Sequence, residues 1–272
     1  MPHLQLDNAK IWYTESGPDN TPALGTIVFS HGLLWSGRMY DAQVAHFRSR
    51  YRCITFDFRG QGQSEVTRSG YDMDTLALDA ARLIERLGAE PCHFVGLSMG
   101  GFIGMRLAVR RPELIRSLTL LETAADPEPR SNIPKYSALL LVARLFGLSP
   151  VAGAVMKIMF GAAFLSDPAR AAEREEMRRR LIGNDRIGVV RATLGVIGRE
   201  GVKGIEDIRA PTLVVSGDGE RAVVPARSKA TADRIPGARF VRIPRAGHTS
   251  TVEEPKLVIE VMEDFLGGLP PA

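Results

Sequence analysis

The residues Gly96-Leu97-Ser98-Met99-Gly100-Gly101 follow an apolar run at 92–95 and open a helical pattern that reaches Arg110. A serine with glycine two places before it and two places after it, at a turn from strand to helix, is the pattern of a nucleophile elbow. The tight turn exposes the hydroxyl, and larger side chains at the flanking positions would collide. The helix that starts there also turns free amides and its positive end toward Ser98, which favours a negatively charged oxygen. The chemistry in prospect is attack on a carbonyl, against the plainer reading of a glycine turn with an inert serine.

Such a serine needs a base, because its proton is held too tightly for unaided attack near neutral pH. Of the five histidines, His3 lies near the terminus, His46 in a helical stretch and His93 inside an apolar run. His31 begins a glycine-containing loop after the run 26–29 and reads as a residue that fixes that loop over the elbow. His248, in Ala246-Gly247-His248 after the run 239–243, has the setting of a base. Two main-chain amides are expected to hold the oxyanion, that of Leu33 in the first loop and that of Met99 after the nucleophile. A carboxylate should orient the imidazole. The run 213–216 leads into Gly217-Asp218-Gly219-Glu220-Arg221, which supplies candidates.

These groups lie far apart in the chain, so a scaffold must bring them together. Short β-branched runs bounded by turn residues occur at 10–14, 26–29, 52–57, 92–97, 117–121, 212–216 and 239–243, with helical stretches such as 74–87 and 99–110 between them. Alternating strand and helix implies a parallel sheet covered on both faces. The alternation stops after Leu121 and resumes at Thr212. Between them lie helical signals, including Ser149-Pro150 and Asp167-Pro168, each a cap followed by a first-turn proline. Apolar stripes at Val151, Val155, Ile158 and Met159, and at Ile187, Val190, Leu194 and Ile197, are expected to face the sheet domain.

Composition narrows the partners. The 272 residues, 44% hydrophobic and 24% charged, are those of a chain with a sizeable core. The charge of +4 comes from 35 basic against 31 acidic residues, and the densest basic stretch, 174–180, contains Glu175 and Glu176. It reads as a solvated helix face, so no nucleic-acid partner is expected. The apolar segment 137–165 is broken by Arg144, Gly147, Pro150, Lys157 and Gly161, which argues against a membrane span. No export signal is evident at the start of the sequence, and Cys53 and Cys92 read as buried reduced thiols, giving a cytoplasmic expectation. No metal-ligand spacing is present. Gly60-Gln61-Gly62-Gln63-Ser64 lacks the third glycine and the lysine of phosphate loops, so no cofactor is expected.

Ser30-His31-Gly32, Phe56-Asp57-Phe58-Arg59-Gly60-Gln61-Gly62-Gln63-Ser64, the elbow, Ala210-Pro211-Thr212-Leu213-Val214-Val215-Ser216-Gly217 and Gly247-His248 together resemble the α/β-hydrolase superfamily. Within it the elbow and its neighbours are most similar to 3-oxoadipate enol-lactonases and related small carboxylesterases. The resemblance implies an α/β-hydrolase fold, with an eight-stranded, mostly parallel sheet if 3–6 is counted. A core of 1–125 and 205–272 would carry a helical cap at 126–204. Asp57 and Arg59 match a family loop motif with a mostly structural role.

The family pattern places an aspartate three residues after the strand-ending glycine and four before a proline. Here that place holds Glu220, with one extra residue before Pro225. Glutamate can serve as the acid, and the longer turn can absorb its extra methylene, so Glu220 is favoured. Asp218 and Glu122 are the alternative acids. Cap residues Met156, Met159 and Phe160 are candidates to line an adaptable apolar pocket, and Arg144, Lys157 and Arg191 could supply a cation for a dicarboxylate. The implied activity is hydrolysis of a carboxylic ester or lactone through an acyl-enzyme. Hydrolysis of carbon-carbon bonds, cofactor-free perhydrolysis and a ligand-binding receptor with little turnover are the other outcomes that this fold allows.

Overall fold

The computed structural model describes residues 2–18 and 23–270. Strands β1 (His3–Leu6), β2 (Ala9–Ser16), β3 (Thr26–Ser30), β4 (Arg52–Phe56), β5 (Cys92–Leu97), β6 (Ile115–Leu121), β7 (Thr212–Gly217) and β8 (Arg239–Ile243) form one sheet in the order β1-β2-β4-β3-β5-β6-β7-β8. β1 and β2 make an antiparallel hairpin whose second strand pairs antiparallel with β4, and every later pairing is parallel. Every residue of β5 and β7 is buried, which explains their near-continuous apolar sequences: a parallel strand covered on both faces has no solvent side to alternate toward.

Side-chain alternation splits the core into two layers. Val28, Ile54 and Phe94 face a layer containing α2 (Met73–Arg86), α3 (Met99–Arg110) and α9 (Pro225–Arg234), while Phe29, Val95 and Val215 face a layer containing α1 (Asp41–Phe47) and α11 (Pro255–Gly267). The Asp72 side chain accepts from the Thr75 amide at 2.8 Å and starts α2. A short helix, α10 (Ser250–Glu253), precedes α11.

Between β6 and β7 the chain forms five helices, α4 (Ile133–Phe146), α5 (Ala152–Met159), α6 (Ala162–Ser166), α7 (Ala171–Ile182) and α8 (Arg186–Ile197), which make the inserted helical cap of an α/β-hydrolase architecture. Asp167 caps as expected, accepting from the Ala169 amide at 2.9 Å. Ser149 does not. It lies inside the tight turn that feeds α5, its side chain makes no cap bond, and Leu148 occupies the cap position.

The stripe expected on α8 also differs. Ile187 is half exposed and Leu194 slightly more than half, and the buried face is Gly188, Val189 and Ala192. The cause is close backbone packing. A Cβ on Gly188 would lie 1.9 Å from the Gly60 carbonyl oxygen, and one on Gly195 2.0 Å from that of Tyr71. Two glycines seven residues apart, rather than an apolar stripe, thus set α8 on the core.

Candidate active site

Ser98 sits between β5 and α3 with φ +51° and ψ −109°, a conformation that persists only when its surroundings over-determine it. They do so here. The Ser98 amide donates to the Leu121 carbonyl at 2.8 Å, and its carbonyl accepts from the Thr123 hydroxyl at 2.9 Å. A Cβ on Gly96 would stand 2.4 Å from the Gly100 oxygen, and one on Gly100 2.1 Å from the Ser30 oxygen, so larger residues cannot occupy either place without moving backbone. Met99 is the first residue of α3, and its amide has no acceptor within the helix.

The loop after β3 is pinned from beneath. Burial lowers the His31 pKa, so the ring is neutral near pH 7: Nδ1 donates to the Gly32 carbonyl at 2.7 Å and Nε2 accepts from the Phe58 amide at 2.9 Å. Gln61 Oε1 accepts from the Leu34 amide at 2.7 Å, and Asp57 Oδ1 from the Gly37 amide at 2.7 Å. Arg59 turns away and forms a buried pair with Asp79. The loop carrying Leu33 is therefore fixed by its neighbours, and no hydrogen bond among the described residues uses the Leu33 amide.

Of the three carboxylates weighed on sequence, Glu220 is the one bonded to the imidazole, with Oε2 2.6 Å from Nδ1 of His248. Its other oxygen accepts from the amides of Ala222 and Val223, at 2.5 and 3.0 Å. A carboxylate oxygen can only accept, so Nδ1 carries a proton, and in the neutral ring Nε2 is then the nitrogen with the lone pair. Asp218 is exposed and pairs with Arg242. Glu122, just after β6, is completely buried with φ +50°, and its oxygens accept from the Gly217 amide at 2.9 and 3.1 Å. Burial, and next the charge of Glu220, push the Glu122 carboxyl well above the usual carboxylate range.

Glu253 is a positioning residue that the sequence did not reveal. Its carboxyl accepts from the Thr249 amide at 3.1 Å, beside His248, and from the amide of Gly161 in the cap at 2.7 Å. Burial raises it to about 7, with the Gly161, Gly247 and Thr249 amides opposing that rise. A glutamate that ends a short helix carries no sequence signal for this role, since its partners are backbone groups of the His248 loop and of the cap.

Ser98 and His248 open on the same cavity, of about 130 Å³, walled by Leu33, Phe102, Leu139, Val155, Met159 and Val189 among others. Met159 lines it as expected, but Met156 and Phe160 do not. Both are buried in the core, where Phe160 stacks on Phe164 with ring centres 4.6 Å apart and meets the edge of Trp35. Arg144 and Lys157 are exposed, and Arg191 bonds to the Thr67 carbonyl, so none of these three cations lines the cavity. A second serine-histidine pair, His93 and Ser117 at 2.8 Å, joins the early residues of β5 and β6. It lies at the opposite ends of those strands from the elbow, and burial lowers His93 to about 4, so it acts as a sheet contact.

Among the described residues no group of three or more His, Cys, Asp or Glu side chains could hold a metal ion, and no helix is long and apolar enough to cross a membrane.

A family model described as alpha/beta hydrolase fold matches residues 25–255. The chain belongs to this family. It is an enzyme, a serine hydrolase. A protein named non-heme bromoperoxidase BpoC in Mycobacterium tuberculosis is 30% identical over 254 residues, covering 89% of this chain and 94% of that one. One named carbamate hydrolase RutD in Yersinia enterocolitica is 28% identical over 88% of this chain and 86% of its own length. The crystal structure of an enol-lactonase from Burkholderia xenovorans superposes with a TM-score of 0.90 at 28% identity, covering 98% of this chain and all of that one. The three names point to three reactions, so the shared scaffold leaves the substrate to be argued from this site.

Proposed function

We propose that this hydrolase cleaves a carboxylic ester or lactone with Ser98 as nucleophile, His248 as base and Glu220 as the orienting acid. The observation that carries the reading is the 2.6 Å bond from His248 to Glu220, beside the cavity that Ser98 and His248 share. Nε2 of His248 takes the proton of Ser98, whose Oγ forms a bond to the carbonyl carbon as the carbonyl π bond opens onto oxygen. The amides of Leu33 and Met99 receive that oxyanion, and removing one such donor costs on the order of a hundredfold to a thousandfold in rate. The imidazolium, steadied by Glu220, returns the proton to the leaving alcohol as the acyl-enzyme forms. Water then repeats the sequence with His248 as base, and the acid departs.

Residues 126–204 form the cap over a core of 1–125 and 205–272. The two free, buried cysteines fit a reducing compartment, and the cytoplasm is the proposed location. The enol-lactonase from Burkholderia xenovorans, which superposes over 98% of this chain, is one relative whose reaction is of this kind. A fluorophosphonate probe tests the reading: it should label Ser98, Ser98→Ala should lose both labelling and ester cleavage while keeping its circular dichroism, and His248→Ala should label far more slowly. Normal ester turnover by Ser98→Ala would refute it.

A further inference from the structure

The cavity has one polar side that the proposed mechanism does not use. Glu128, on the segment between β6 and α4, contributes to a wall that is otherwise mostly apolar, with the hydroxyls of Tyr136 and Thr193 on residues that also line it. Its Oε1 accepts from Asn132 at 2.6 Å and its Oε2 from Arg199 Nη1 at 2.9 Å. The Arg199 side chain is 1% exposed, lies 4.0 Å over the ring of Phe102, and is not itself part of the cavity wall. Glu128 thus belongs to the cavity wall, while the guanidinium that pairs with it does not. Tyr136 is also in the wall. Its hydroxyl is pushed up to about 12, chiefly by burial and next by the Glu128 charge.

We infer that the substrate's acyl group is uncharged and aliphatic, and that Glu128 acts as a specificity residue that turns away acyl groups ending in a carboxylate. This rests on the ester or lactone reading above and sharpens it. Two facts carry the inference together. Among the described residues, Glu128 is the one Lys, Arg, Asp or Glu in the cavity wall, and its own cation is spent on it from outside. A carboxylate entering would leave water for an apolar chamber, find no cation facing it, and sit beside a charge of its own sign. A chain ending in a methyl group loses nothing polar on entry and meets Leu139, Val155, Ile158 and Val189. The wall likewise offers no Lys or Arg to pair with the second carboxyl of a dicarboxylic lactone.

Three 4-nitrophenyl esters with matched six-carbon acyl groups test the inference: the hexanoate, the adipate monoester with its free carboxylate, and the same adipate capped as its methyl ester. With each kcat/KM corrected for uncatalysed hydrolysis, the adipate monoester should fall below the hexanoate on the order of a hundredfold, and the methyl-capped adipate should recover most of that loss. In Glu128→Gln the gap between hexanoate and adipate monoester should narrow to about tenfold or less, since the like charge is gone while Arg199 remains. The three substrates decide the matter on the unmodified enzyme even if that variant does not fold. Adipate monoester turned over within about threefold of hexanoate would overturn the inference, as would a methyl-capped adipate as poor as the free acid. If fluorophosphonate labels Ser98 but none of the three esters is cleaved, the ester reading itself fails and the inference falls with it.

Discussion

Glu220 holds His248 with one carboxylate oxygen and its own loop with the other: Oε2 lies 2.6 Å from Nδ1, while Oε1 takes the amides of Ala222 and Val223. The extra methylene of glutamate is thus absorbed by folding the carboxylate back over the longer turn that leads to Pro225. Removing the charge while keeping the shape should release the imidazole from its tautomer, so Glu220→Gln should lower kcat/KM on a 4-nitrophenyl ester on the order of a thousandfold or more. Asp218→Asn touches only a surface pair with Arg242 and should stay within about twofold. Steady-state kinetics on the two variants decide between them, and the reverse ranking would hand the acid's role to Asp218.

Glu122 presents the opposite case, a carboxyl beside Glu220 whose charged form is disfavoured. Because burial and the Glu220 charge disfavour its charged form, Glu122→Gln, a neutral group of the same shape, should keep kcat/KM within about fivefold. Glu122→Ala is different, since it strands the buried Gly217 amide and should cost about 1 to 3 kcal/mol of unfolding free energy. Chemical denaturation and ester kinetics on the pair separate the two effects. A Glu122→Gln enzyme with as little activity as Glu220→Gln would mean that the buried carboxyl works as a charged group.

The elements that were legible in the sequence share one property: their signal is local. A fully buried parallel strand reads as an apolar run, and the elbow reads from glycines that leave no room for a Cβ beside Ser98. The carboxylate that bonds to His248 was legible only as one of three, because whether Glu220 or Asp218 turns inward depends on how a loop bends after β7. The role of Glu253 was not legible at all, since its partners are amides from the His248 loop and from Gly161 in the cap. The α8 stripe failed for a related reason. Ile187, Val190, Leu194 and Ile197 have helical spacing, but the face that reaches the core is chosen by the glycines able to touch backbone, and apolar periodicity ignores glycine.

The position of Glu253 gives stability a pH dependence of definite sign. Its carboxyl titrates near 4.5 when unfolded and near 7 in the fold, so the folded state binds the proton more tightly. The stability this contributes is complete below about pH 4.5 and is lost as pH rises through about 7. The full change is of the order of 3 kcal/mol. Glu253→Gln cannot titrate, and its amide group cannot accept both the Gly161 and Thr249 amides at full strength. The variant should therefore be less stable than the parent at pH 5, with the deficit shrinking by pH 8. Urea unfolding at the two pH values measures this, and a deficit that grows with pH would show that Glu253 is held as the carboxylate.

Gly188 tests how the cap meets the core. With a Cβ it would lie 1.9 Å from the carbonyl oxygen of Gly60, where both atoms belong to backbones that are fixed on either side, so Gly188→Ala must push α8 outward. Overpacking of this kind costs about 1 to 3 kcal/mol. The neighbouring residue Val189 walls the cavity, as do Thr193, Val196 and Ile197 on the same helix, so the displacement should loosen the substrate's surroundings without touching Ser98, His248 or Glu220. The expected result is a lower melting temperature with KM for the hexanoate ester raised about three- to tenfold and kcat changed less than about twofold, the pattern of lost ground-state binding. Gly195→Ala, 2.0 Å from the Tyr71 oxygen, should act in the same direction. Parent-like melting and KM in both variants would show that α8 does not depend on these two glycines for its seat.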